Sequence, residues 1–327
     1  MSWSKPEAAE IRKALRKYAP LLADASIEFL AEGWEFWAFR AGEYVLRFPK
    51  AERGFVWKLA DQPSAESLRI ERGLTPELAA HLSTPISVTD VYGELGPNGA
   101  PFTGHRFLAG EVIMYETRPT ADAWARRRLP DDQFGRELGR LIREVHAFPA
   151  ERAIELGVPL FEGVALRADR VLHYEDVIRR AFPLLGCEAR THVERVYETY
   201  LNDAASFDFD PVLVHTDLAV NTLIDPQTGH LCGLIDFGDA AVSDPALDFW
   251  LPVYGLAHVG IGEQAEACLK EAGVDQAALD RMRPQLAFQD LRYPLLGILH
   301  GLGNQDDAMV EKSILELNAM VPRDTKC

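Results

Sequence analysis

At 327 residues, 47% hydrophobic and 26% charged, the chain has an ordinary globular composition and enough interior for one large or two modest folding units. Its formal net charge of -16 argues against a nucleic-acid partner, whose phosphates are gripped by Lys and Arg, and leaves room for a cationic ligand steered to an acidic cleft. No apolar run approaches 18 residues and none follows the charged N-terminus, so neither a membrane span nor a secretory signal is expected. The scattered cysteines, Cys187, Cys232, Cys268 and Cys327, lack zinc spacing and read as reduced thiols of a cytoplasmic protein.

In chain order, a helix is expected from Ser4 to Tyr18. Residues 27–48, rich in aromatic and β-branched side chains with turn residues near Gly33 and Gly42, predict three consecutive antiparallel strands. A helix follows from Ala65 to Leu82 and stops before Pro85. Ile86 to Tyr92 alternates like a strand, and Pro101 to Leu108 reads as another after the turn at Gly96–Gly99. Beyond Gly110 the pattern turns helical. Phe134, Leu138, Leu141, Ile142 and Val145 share one helix face, and further helices are expected at about 170–183, 188–203, 245–258, 276–302 and 307–320. The division falls at Ala109-Gly110, giving an N-terminal lobe 1–109 and a C-terminal lobe 110–327.

The most informative segment runs from Val212 to Asp248. His215-Thr216-Asp217 follows an apolar run, Asn221 comes four residues after Asp217, and Asp236-Phe237-Gly238 follows a second apolar run. One carboxylate to take a hydroxyl proton, then an amide and a second carboxylate to hold a divalent cation, is what phosphoryl transfer from a nucleotide requires. The order is close to the catalytic loop and D-F-G elements of protein kinases. Asp217 is the candidate catalytic base, Asn221 and Asp236 are the candidate Mg2+ ligands, and His215 is expected to fix the loop.

With Ile235-Asp236-Phe237-Gly238-Asp239-Ala240 and Ser243-Asp244-Pro245-Ala246-Leu247-Asp248 added, the chain resembles the aminoglycoside phosphotransferase family, most of all its 2''-phosphotransferases. Glu43 to Lys50 in the first lobe supports the same likeness. The resemblance implies an α+β, protein-kinase-like fold in two lobes, a small antiparallel sheet followed by a larger helical part, with ATP or GTP held between them. It implies that Arg47 grips phosphates with Glu71 as its ion-pair partner, Lys50 and Glu66 being the alternatives. Phe107, Leu108 and Ala109, running into Gly110, are expected as the hinge that pairs with the purine. Asp248 would either brace the catalytic loop or cap the next helix.

The chain departs from the family pattern in three places. The first turn lacks G-x-G-x-x-G and keeps only Gly33. Asp217 and Asn221 stand one residue closer than usual, which leaves Thr222 at the normal spacing. The basic residue of strand three is Arg in place of Lys, and a guanidinium binds phosphate well. The acceptor implied is a cationic aminoglycoside, with Asp239, Asp244, Glu263, Glu266 and Asp290 as candidate ammonium contacts and Trp250, Tyr254 and Tyr293 as walls. A macrolide or metabolic small-molecule kinase and a nucleotide-binding pseudokinase are the competing readings. The oligomeric state is not legible.

Overall fold

The computed structural model describes residues 3–50, 64–96, 99–113, 132–258, 261–323 and 325. The chain opens with α1 (Ala8–Tyr18), held at its start by a capping box between Glu7 and Glu10. A five-stranded antiparallel sheet follows, in the order β1-β2-β3-β5-β4. Its strands are β1 (Ile27–Glu32), β2 (Phe36–Ala41), β3 (Tyr44–Pro49), β4 (Thr89–Leu95) and β5 (Ala100–Arg106). The three strands expected over 27–48 are therefore present, turning at Gly33 and at Gly42, whose φ of 60° suits glycine.

Period-two alternation along the central strand decides what each sheet face does. Leu46 and Phe48 point to one side and pack with Ile11 and Leu15 of α1, Trp37, Phe39 and Phe102. Arg47 is buried in the middle of the sheet, opposite Ala38 on β2 and Thr103 on β5, and meets α2 (Ser64–Ala79). α2 also carries Ile70, Leu74 and Leu78 into the main core. There they join Leu138, Leu141, Ile142 and Val145 of the Gln133–His146 helix, together with Leu213 and Phe237. One continuous core thus ties α2 to the motif strands.

Those motif strands are short. β7 (Val212–Val214) pairs antiparallel with β10 (Ala241–Ser243), while β8 (Thr222–Ile224) pairs with β9 (Leu231–Leu234) and with β6 (Glu111–Val112). The β7–β8 and β9–β10 connections therefore carry Asp217 and Asp236. A second core is built by helices Cys187–Asn202, Gln276–Asn304 and Asp307–Met320 around Tyr197, Phe288 and Leu295. Gln276–Asn304 runs unbroken through Pro284 and Pro294, and its apolar side is buried from Gln285 onward. This is the expected α+β arrangement, a sheet-rich first part and a helical second part.

Three expectations are corrected. Residues 245–258 do not form one α-helix: a 3-10 turn over Pro245–Phe249 passes into a π-turn over Leu251–Gly255, where Pro252 has no N–H to give. A helix at Gln264–Glu271 was not expected. Finally, Cys232 and Cys268 are free thiols, but Cys187, exposed at the first turn of its helix and so accessible to a second thiol, is in a disulfide. Among the described residues no helix is long and apolar enough to cross a membrane.

Candidate functional site

Arg47 is the centre of a buried charge cluster. Its Nη1 donates to both carboxylate oxygens of Glu71, each at 2.7 Å, and its Nη2 donates to Asp236 Oδ1 at 2.7 Å. The Phe36 ring lies 4.4 Å from the guanidinium carbon. Burial pushes the Glu71 carboxyl up and the Arg47 charge pulls it back. Burial also disfavours the Arg47 cation, but Asp236 and Glu71 outweigh it and hold the guanidinium above its usual range. Lys50 and Glu66, the alternatives, pair elsewhere, with Glu32 and Arg69.

The loop after β7 is fixed from every side. Asp217 N–H donates to His215 Nδ1 at 3.3 Å, so the proton on that ring sits on Nε2, which donates to Ile235 O at 2.9 Å. Phe237 packs its ring edge-on to His215, centroids 4.7 Å apart. Asp248, 2% exposed, accepts from His215 N–H at 3.0 Å, Thr216 N–H at 2.8 Å and His146 Nε2 at 3.0 Å. Of its two expected roles Asp248 takes the brace. The cap belongs to Asp244, which accepts from Ala246 N–H at 2.9 Å and is pushed up to about 6 by burial.

Thr216 has φ 73°, in the left-handed region that a β-branched residue rarely adopts, and its hydroxyl donates to Asp239 O at 3.0 Å. Asp236 is left-handed too, at φ 63°. Both strained residues lie beside or on the carboxylates of the two motif loops, and such conformations persist only when surrounding bonds over-determine them. The Thr216 strain went unread in the sequence, although the family pattern HGDL, with glycine at that place, carries the signal. His146 gave no sequence signal at all.

Asp217 is half-buried and its side chain reaches Asn221, whose Nδ2 donates to Asp217 O at 2.8 Å and to Oδ2 at 3.2 Å. That orientation leaves the amide oxygen of Asn221 as an acceptor. Thr222 is fully buried on β8 and its hydroxyl donates to Leu218 O at 2.7 Å, so the shortened loop presents Asn221, not Thr222, beside Asp217. Asn221 O also accepts from Ile235 N–H at 3.1 Å, which ties the two carboxylate-bearing loops together. Asp236 keeps 41% of its side chain exposed. Hard oxygens from Asp236 and Asn221, with phosphate and water completing the shell, are a donor set that fits magnesium. Among the described residues no group of three or more His, Cys, Asp or Glu forms a self-sufficient metal cluster.

Gly33 closes the β1–β2 turn, its N–H donating to Phe36 O at 2.9 Å. In the 107–110 segment Phe107 N–H donates to Glu43 O at 2.7 Å, and Ala109 O accepts from Cys232 Sγ at 3.2 Å. Among the described residues no hydrogen bond engages Leu108, which is half-buried. Gly110 passes so close to β8 and β9 that a Cβ there would stand 2.7 Å from Cys232 Sγ.

Asp290 accepts from Trp250 Nε1 and His258 Nε2, each at 3.1 Å, and the Trp250 and Tyr293 rings lie 4.3 Å apart. Burial, with the Asp217 charge beside it, pushes the Tyr293 phenol up. Of Trp250, Asp290 and Tyr293, the last is the one that feels Asp217, and Trp250 and Asp290 join it through the ring contact and the Trp250–Asp290 bond. Asp239 meets the Asp217 loop through its backbone. Glu263 and Glu266 are exposed on the Gln264–Glu271 helix, and neither bonds to the Asp217 network among the described residues.

The brace makes a prediction. Asp248→Asn places an NH2 against N–H donors and removes a charge, so it is expected to cost about 2–3 kcal/mol of stability and to lower kcat through the displaced loop, with nucleotide KM little changed. Urea denaturation and steady-state kinetics check it; unchanged stability would reject the brace.

Residues 26–284 match the sequence profile of a family described as the phosphotransferase enzyme family. No curated protein matches. Among solved structures, the chain is similar to the GDP and kanamycin complex of APH(2")-IIia, with 28% identity over 94% of this chain and 97% of that one and a TM-score of 0.78. It is also similar to the GDP complex of wild-type aminoglycoside 2'-phosphotransferase-IIIa, with 26% identity, 96% and 98% coverage and a TM-score of 0.78. Macrolide 2'-phosphotransferase MphH from Brachybacterium faecium shares the fold at 19% identity, 91% and 93% coverage and a TM-score of 0.59.

Proposed function

The chain belongs to the phosphotransferase enzyme family, small-molecule phosphotransferases acting on hydroxyl groups, and from that premise we propose that it transfers the γ-phosphate of ATP or GTP to a hydroxyl of an aminoglycoside. The observation that carries the reading is the joining of two carboxylate loops, Asp217 beside Asn221 and Asp236 against Arg47, through the Asn221–Ile235 and His215–Ile235 hydrogen bonds. In this reading Arg47, steadied by Glu71, grips the phosphates. The Gly33 turn covers them, and Phe107, Leu108 and Ala109 meet the purine through backbone groups. Asp217 orients the acceptor hydroxyl and takes its proton. Mg2+ held by Asp236 and Asn221 supplies neutralising charge on the phosphates. Positioning and fixed charge account for most of the rate.

In this reading Tyr293, partly buried near Asp217, meets a sugar ring, while Trp250 is buried and packs on Tyr293 and Asp290 is bonded to Trp250 and His258. The higher likeness to the two aminoglycoside enzymes than to the macrolide enzyme supports the same acceptor class. Nucleotide turnover with magnesium and ATP or GTP, over a panel of aminoglycosides and one macrolide, tests it. An aminoglycoside should stimulate turnover and Asp217→Asn should abolish the stimulation. Stimulation by the macrolide alone would overturn the acceptor class.

A further inference from the structure

Trp34 reaches across the cleft in a way that the phosphate and acceptor chemistry does not use. It stands in the β1–β2 turn, directly after Gly33 and two residues before Phe36. Phe36 packs on Arg47, and Arg47 reaches Asp236, so this turn adjoins the charged groups proposed for the phosphates. From there the indole stacks on the His300 imidazole, centroids 4.3 Å apart and planes 14° from parallel. His300 belongs to the Gln276–Asn304 helix. It comes seven residues after Tyr293, on the same helix face and roughly 10 Å further along the axis. Tyr293 is the neighbour of Asp217. Asn304 Nδ2 bonds to both His300 Nε2 and His300 O at 3.0 Å, which steadies the imidazole from the next turn. The contact therefore joins the β1–β2 turn, next to the Phe36–Arg47 contact, to the long helix that carries Tyr293.

Simple burial does not account for the pair, because Trp34 stays 39% exposed. We infer that Trp34 and His300 are positioning residues that form a clasp across the mouth of the cleft. Closed, the clasp holds the glycine-poor β1–β2 turn down over the phosphates and keeps water from the γ-phosphorus. Open, it admits and releases nucleotide. This inference rests on the reading of the cleft as the nucleotide site. It supplies what the missing G-x-G-x-x-G pattern does not: a side-chain tether in place of a loop of backbone N–H groups wrapped on the phosphates. A stacked aromatic pair biases an open–closed equilibrium by roughly two- to ten-fold, enough to set a release rate without locking the site.

The test is stopped-flow release of a fluorescent N-methylanthraniloyl derivative of ATP or GTP, with magnesium, from the full chain and its variants. Trp34→Ala and His300→Ala should each speed release by roughly two- to ten-fold, and the double variant should be no faster than either single one. His300→Phe, which keeps a ring to stack on, should release at the wild-type rate. Nucleotide hydrolysis without acceptor should rise in the two alanine variants only. Unchanged release in both, or additive effects in the double variant, would overturn the clasp. Hydrogen exchange of the ligand-free chain separates this from the functional reading. The amides of residues 33–36 should exchange faster in His300→Ala, whatever binds in the cleft, and unchanged exchange there rejects the clasp. Faster exchange in a chain that binds no nucleotide would instead reject the nucleotide site and leave the tether standing.

Discussion

Asp217→Asn is expected to lower kcat by about two to four orders of magnitude, the usual contribution of a positioned general base, with nucleotide KM and folding stability nearly unchanged. The separation follows from where the bonds go. The Asp217 backbone N–H is held by His215 Nδ1, and its side chain accepts from Asn221 Nδ2, a bond that an asparagine oxygen can still accept. Arg47, by contrast, is committed to Glu71 and Asp236. An asparagine keeps the size and an acceptor oxygen but cannot take the hydroxyl proton. Steady-state kinetics with saturating acceptor, together with a nucleotide-binding titration, checks this. A kcat within about threefold of wild type would sink the base assignment, and a parallel loss of nucleotide affinity would move Asp217 from chemistry to binding.

How much of this could be read beforehand depends on the range of each interaction. The three strands of residues 27–48, the helix face through Phe134 and Val145, and the Asp217 and Asp236 loops were legible, because periodicity and motif are local. Arg47 and Glu71 could be paired through the family resemblance, which implies a basic residue on the third strand and an acidic partner in the helix that follows. The bond from Arg47 to Asp236 could not, since 189 residues separate them and no spacing rule reaches that far. Neither could the stack of Trp34 on His300, which belongs to the tertiary fold alone. The irregular turns at 245–258 were hidden for the opposite reason: the apolar pattern there is helical, and only Pro252 marks the break. The Gln264–Glu271 helix was legible but passed over. Its good helix formers end at Gly273, whose φ of 80° is the usual stop.

The Arg47–Asp236 bond also decides how the second carboxylate should be tested. Asp236→Ala would remove the proposed metal ligand, but it would also place an alanine at φ 63°, where a Cβ costs about 1–2 kcal/mol unless the side chain bonds locally. It would further delete the acceptor for Gly238 N–H at 3.4 Å and for Arg47 Nη2. Asp236→Asn avoids these faults, because asparagine tolerates the left-handed region and keeps an oxygen for both donors. Arg47 retains Glu71 as its buried counter-charge, and Asp236 is 41% exposed, so stability should change by no more than about 1 kcal/mol. Turnover is a different matter. An amide has lost the charge that draws Mg2+, so turnover is expected to fall at least about a thousandfold, on the scale of losing a principal charge-stabilising group. The gain in nucleotide affinity on adding magnesium should flatten as well. Magnesium titrations of nucleotide binding and turnover, on wild type and Asp236→Asn with matched melting curves, read both effects. Retained turnover with the same magnesium half-saturation would show that Asp236 serves Arg47 and the turn geometry alone, and the metal would have to be sought elsewhere.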